Sequence, residues 1–98
     1  MLNYLLDVDM SPEEIYDINH ELSGSIVESL DLAKNTVKDS LVYYKEMGIN
    51  NLSGLIINRP DLVLMNRKNI ETLISKIDKN LFIDMVNNDI EDLILFGI

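Results

Sequence analysis

Carboxylates are the side chains most abundantly placed to do chemistry in this sequence. Glu13, Glu14, Asp17 and Glu21 fall within nine residues, beside His20, the single histidine. Paired acids can act as general acid and base, and a histidine among acids can hold a metal. Neither role fits the pattern. Glu13 and Glu14 are adjacent, directly after Ser11-Pro12, where acids serve a helix start by facing the positive end of its dipole. With no cysteine in the chain, a zinc site at His20 would need carboxylates alone beside it, an unusual donor set. Ser23-Gly24-Ser25 breaks a helix and lacks the pattern around a hydrolase nucleophile. No glycine-rich phosphate loop occurs, and Asp84, Asp89, Glu91 and Asp92 match neither the spacing nor the glycine of a calcium loop. The expectation is a protein with no catalytic, metal or cofactor site.

The lysines offer a second chemistry. At about 100° per residue, Lys34, Lys38 and Lys45 fall on one side of a helix, off its apolar stripe. Lys68, Lys76 and Lys79 are expected to share the face opposite Ile70, Leu73 and Ile77. Such stripes either pair with neighbouring acids in solvent or contact phosphates. Tyr43 points away from the apolar stripe of its own segment, open to a partner or covered by a following unit.

Charge is unevenly distributed. Residues 1–33 hold eight acids and no base. All eight lysines and arginines lie between Lys34 and Lys79 against five acids, and residues 80–98 add four acids and no base. The net charge is −9. A field of this sign repels nucleic-acid backbone and anionic membranes and attracts basic surfaces.

The elements that must carry these residues are helices. Ser11 is a cap, Pro12 suits the first helical position, Glu14 completes a capping box, and Met10 and Ile15 stand at staple positions. The helix is predicted to run through Ile18 to Leu22. Ser25 with Glu28 predicts a second box. Ile26, Leu30, Ala33, Val37, Leu41, Tyr44 and Met47 then form an amphipathic stripe stopped by Gly48. Residues 26–47 fit one helix, or two with Asn35 or Thr36 as a second cap. Leu52, Leu55, Ile56 and Ile57 predict a helix ended by Arg59-Pro60. Pro60-Asp61-Leu62 opens a short turn. Helices follow from Asn66 or Arg67 through Ile77, from Leu81 to Val86, and from Ile90 to Phe96, whose apolar end is open to three readings: a last turn docked on the core, a truncated repeat edge or an oligomer contact. No period-2 strand is present. The fold class is all-α, one compact domain over residues 1–98. No run is long enough to cross a bilayer, and Asp7 and Asp9 come too soon after the first apolar residues for a signal peptide. A cytoplasmic protein is expected.

Internal similarity sharpens this. Tyr4 to Ser11 aligns with Tyr43 to Asn50 at a shift of 39; Leu30, Val37, Leu41 and Tyr44 align with Val63, Ile70, Ile74 and Ile77 at a shift of 33; and Phe96-Gly97-Ile98 echoes Met47-Gly48-Ile49. Periods of this length in helices predict two to three stacked units, at residues 4–42, 43–80 and, in part, 81–98. Asn35 to Ile49, then a helix, then Asn58-Arg59-Pro60-Asp61-Leu62-Val63-Leu64, resembles one repeat of the mitochondrial transcription termination factor (mTERF) family. Over residues 4–77 the resemblance implies a small superhelix of three-helix units with a basic nucleic-acid-binding face. The sequence departs from that pattern in its acidity, in Asp9 where a glycine is expected, and in lacking a proline near residues 22–26.

Two functions are compatible with these features. The first is a non-catalytic regulatory domain docking its acidic surface, through Glu13, Glu14, Asp17 and Glu21, on a basic protein partner. Its extreme form is a nucleic-acid mimic such as phage-encoded inhibitors of host defence. The alternative is an mTERF-like nucleic-acid-binding module using Lys34, Lys38, Lys45, Lys68, Lys76 and Lys79.

Overall fold

Side-chain caps divide the chain into its helices. In the computed structural model, which describes residues 1–98, Ser11 Oγ accepts from the Glu14 N–H at 3.1 Å, and Glu14 accepts in return from the Ser11 N–H at 3.0 Å. This reciprocal box starts α1 (Pro12–Glu21) as predicted, with Met10 and Ile15 both buried. Asn51 caps α4 (Leu52–Asn58), Asn66 caps α6 (Arg67–Ile74) and Asp78 caps α7 (Lys79–Asn88) in the same way, each accepting from a backbone N–H three residues on. Pro60 opens the short α5 (Pro60–Val63). A 3-10 helix lies at each end of the chain, Asn3–Val8 and Ile90–Phe96.

Two boundaries differ from expectation. The helix α2 (Gly24–Leu32) is capped by Ser23, whose hydroxyl accepts from the Ile26 N–H, so the box expected at Ser25 and Glu28 does not form. Ser23 has the extended backbone a cap requires, which leaves Ser25 inside the first turn. The stripe over 26–47 resolves into two helices. Ala33 leaves helical geometry (φ −96°, ψ 27°) between α2 and α3 (Lys34–Met47). No side chain caps α3. Backbone bonds span the joint instead, from the Ala33 N–H to Ser29 and from the Val37 N–H to Ala33. Asn35 and Thr36 are not used.

The helix α3 is the hub. It packs on the N-terminal 3-10 helix, α2, α4, α5 and α6. Val37, Leu41 and Tyr44 are fully buried along it. Tyr44 donates to the Leu62 carbonyl at 2.8 Å and stacks on Phe82, and the buried Ser40 hydroxyl reaches the Val63 carbonyl. No buried polar side chain lacks a partner. The Asn51 carboxamide caps α4 and also donates to the Val86 carbonyl, tying α4 to α7. A β-carbon at Gly54 would displace that carboxamide from its present position. The body is compact, with a radius of gyration of 12.6 Å, and contains helices only. No helix is long and apolar enough to cross a membrane.

Candidate acidic interface

The first helix separates its acids. Glu13, Asp17 and Glu21 recur every four residues and form one exposed row along α1. None takes part in an intramolecular ion pair. Beside them, Tyr16 is 60 % exposed and stacks on His20, with the hydroxyl 3.1 Å from His20 Nε2. Glu14 does not join this row. It turns inward, half-buried, with its carboxylate engaged by the Ser11 N–H. The four acids expected to act together are therefore three, plus one structural cap. Sequence reasoning misses the Tyr16–His20 pair, although its i, i+4 spacing on a helix is a sufficient signal.

The lysines are distributed differently from expectation. Lys38 and Lys45 lie on α3 beneath the N-terminal 3-10 helix, and both are paired. Lys38 meets Asp7 at 3.1 Å and Lys45 binds the Asp9 carboxylate. Lys34 is exposed and unpaired. The expected second stripe does not share one helix face. Lys68 is on α6, Lys76 lies in the turn beyond its last residue Ile74, and Lys79 is the first residue of α7. The break arises because Asp78 caps a new helix, so the 3.6-residue phase restarts there. Tyr43 is partly covered by α6: Arg67 lies 4.9 Å from its ring centroid and binds Asp39 at 3.1 Å.

Between the first 3-10 helix and α3 is a cleft of about 380 Å³, whose polar walls are Asp9, Glu14, Lys45 and Asn50. The hydrogen bond and charge of Lys45 hold the exposed Asp9 carboxyl below the usual carboxylate range. It is an anion whose partner is already present. No three acid or histidine side chains converge to hold a metal ion.

One backbone feature recurs at the cleft and at the far end of the chain. Asp9, Gly48 and Gly97 all adopt left-handed conformations (φ 65°, 119° and 74°). The N–H of each following residue, Met10, Ile49 and Ile98, reaches back to Leu5, Tyr44 and Leu93 respectively. All three are Schellman caps. Aspartate tolerates this conformation better than most residues other than glycine, which explains why Asp9 can stand where the pattern calls for glycine.

No family model, curated protein or solved structure matches the chain.

Proposed function

We propose that this chain is a non-catalytic regulatory domain, working in the cytoplasm, that docks the acidic outer face of α1 on a basic surface of a protein partner. The observation that carries the reading is the row Glu13, Asp17 and Glu21, exposed and without intramolecular cations. Tyr16 supplies an aromatic surface next to it, of a kind enriched in interfaces. No base occurs in residues 1–33, and the lysines that pair with this third of the chain, Lys38 and Lys45, engage Asp7 and Asp9 and leave the row without a partner. Such a surface steers a basic partner and rejects phosphate backbone. In its extreme form it occupies a nucleic-acid-binding cleft as a mimic. The cytoplasmic placement is supported by the cysteine-free composition.

The test is capture of partners from the native host by the intact chain, compared with a Glu13→Lys/Asp17→Lys/Glu21→Lys variant. The expected outcome is a partner lost on charge reversal, with association that slows as salt rises through about 0.15 M. The variant should retain its helical circular dichroism, because exposed substitutions of this kind cost within about 0.5 kcal/mol each.

A second reading is supported by the recurrence of the cap at Asp9, Gly48 and Gly97, which favours stacked, mTERF-like units with a nucleic-acid role. Lys34, Lys68, Lys76 and Lys79 make no ion pair and are the cations available to it. Duplex DNA or RNA binding near physiological salt that is abolished by Lys34→Glu or Lys68→Glu would establish this reading and overturn the first.

A further inference from the structure

We infer that the exposed face of α1 selects arginine over lysine: guanidinium groups of the partner stack on Tyr16 while pairing with Glu13 and Asp17. The inference rests on the docking of α1 proposed above and specifies the side chain that this face receives.

The molecule already holds one filled site of this kind. On α3, Asp39 and Tyr43 stand one helical turn apart, and Arg67 of α6 engages both. Its guanidinium carbon lies 4.9 Å from the Tyr43 ring centroid, and its Nη2 donates to the Asp39 carboxylate at 3.1 Å. A guanidinium can serve both groups at once, because its flat face lies on a ring while its N–H groups project in its own plane towards a carboxylate. The lysine ammonium is a strongly hydrated point charge with no such plane. An acid and a tyrosine neighbouring one another on a helix are therefore a receptor for arginine, and this structure shows that receptor occupied.

The first helix repeats these residue types without the arginine. At about 100° per residue, Tyr16, His20, Glu13, Asp17 and Glu21 fall within about 140° of one another around α1, and all five are exposed. They form two adjacent rows, one aromatic and one acidic. Glu13 stands three residues before Tyr16, and Asp17 three before His20; on α3 the separation is four, and both spacings make neighbours on a helix surface. The Tyr16 ring is 60 % exposed. His20 stacks on it with centroids 4.2 Å apart and takes up its hydroxyl at 3.1 Å, which holds the ring in place before a partner arrives and reduces the ordering cost of binding. The three acids have no cation of their own. Neither arginine of these 98 residues is free to supply one: Arg67 holds Asp39, and Arg59 holds Asp61 and the Ile98 carbonyl. The guanidinium is the partner's.

The test uses the full chain and two alanine-rich helical peptides of equal charge. One carries a pair of arginines four residues apart; the other carries lysines in their place. Chemical-shift titration by NMR reads both affinities. The arginine peptide should bind about two- to fivefold more tightly, the scale of one stacking contact with a cation at an exposed site. Tyr16→Ala should remove that preference, and Tyr16→Phe should keep it, because the ring and not the hydroxyl receives the guanidinium. Tyr16 is exposed, so the circular dichroism of both variants should match the wild type. Glu13→Gln/Asp17→Asn should weaken both peptides. Binding of neither peptide would overturn the inference, and so would an arginine preference that survives Tyr16→Ala. Equal affinity for the two peptides would overturn it as well, but would leave the docking reading standing, with charge alone selecting the partner. That reading fails separately, through a captured partner that the Glu13→Lys/Asp17→Lys/Glu21→Lys variant retains.

Discussion

The two 3-10 helices at the ends of this molecule share a fold and differ in company. Each has an inner apolar row, a left-handed cap residue and a backbone bond from the residue after the cap to one five positions earlier. The N-terminal helix is held by α1 and α3, by Tyr4 donating to the Leu30 carbonyl, and by the ion pairs Asp7–Lys38 and Asp9–Lys45. The C-terminal helix packs on α7 and α4 and leaves its last apolar turn in solvent. The cap is thus a local device, while burial of the turn before it depends on what packs there: Val8 is buried at one end and Phe96 is half-exposed at the other.

Truncation to alanine tests this contrast most strongly. Leu5→Ala and Leu93→Ala remove fully buried side chains at the two ends, and each is expected to cost about 2–5 kcal/mol in urea denaturation. Phe96→Ala removes a half-exposed ring and is expected to cost about 1 kcal/mol. A Phe96→Ala loss as large as that of Leu5→Ala would mean that the C-terminal face is covered in solution, and the contrast between the ends would fail.

The caps give a smaller effect. Gly48→Ala places a β-carbon on a residue with φ 119°, in ordinary contact with Ile83 at 3.7 Å, with an expected loss of about 1–2 kcal/mol from the left-handed backbone. Gly97→Ala has the same backbone demand, but a β-carbon there meets nothing, and the uncovered end can open locally. Its expected cost is below about 1 kcal/mol by the same left-handed penalty, relieved by fraying. Equal losses at the two glycines would show the C-terminal cap to be as rigid as the inner one.

Tyr4 has no counterpart at the C-terminal end, where the aligned residue is Asp92. Burial, reinforced by Asp31, pushes the Tyr4 hydroxyl up to about 12 from 10.0. A raised folded-state pKa stabilises the protein below pH 10, and that contribution is lost as pH rises to about 12. Tyr4→Phe should cost about 0.5–1.5 kcal/mol at neutral pH and should flatten the alkaline limb of the stability profile. An alkaline limb unchanged in Tyr4→Phe would remove Tyr4 as a cause of the difference between the ends.

The smallest effect is expected at Asp9–Lys45. The pair is exposed, and exposed pairs contribute little. Lys45→Met should leave the denaturation midpoint nearly unmoved while raising the Asp9 titration midpoint, followed by NMR, towards its ordinary 3.8. The sign comes from the lowered pKa: the pair's contribution is present above the ordinary carboxylate value and fades as pH falls through the folded-state value. An Asp9 midpoint insensitive to Lys45→Met would break the assignment.

Local chemistry made much of the fold legible in the sequence. Ser11-Pro12-Glu13-Glu14, Gly48 and Arg59-Pro60 act within one turn, through caps and fixed dihedrals, so their consequences can be read without knowing the partners. The apolar stripe likewise identified Leu41 and Tyr44 as core. Tertiary structure alone decided the rest. That Ala33 divides α2 from α3 leaves both Leu30 and Val37 in the interior. That Lys38 and Lys45 are neutralised by Asp7 and Asp9, 31 and 36 residues away, depended on where the first 3-10 helix docks. That Glu14 lines a cleft while Glu13, Asp17 and Glu21 face solvent depended on which side of α1 meets the core. Periodicity measures a side chain's angle about its own helix; whether that angle meets water, an opposite charge or another helix is set by contacts distant in sequence.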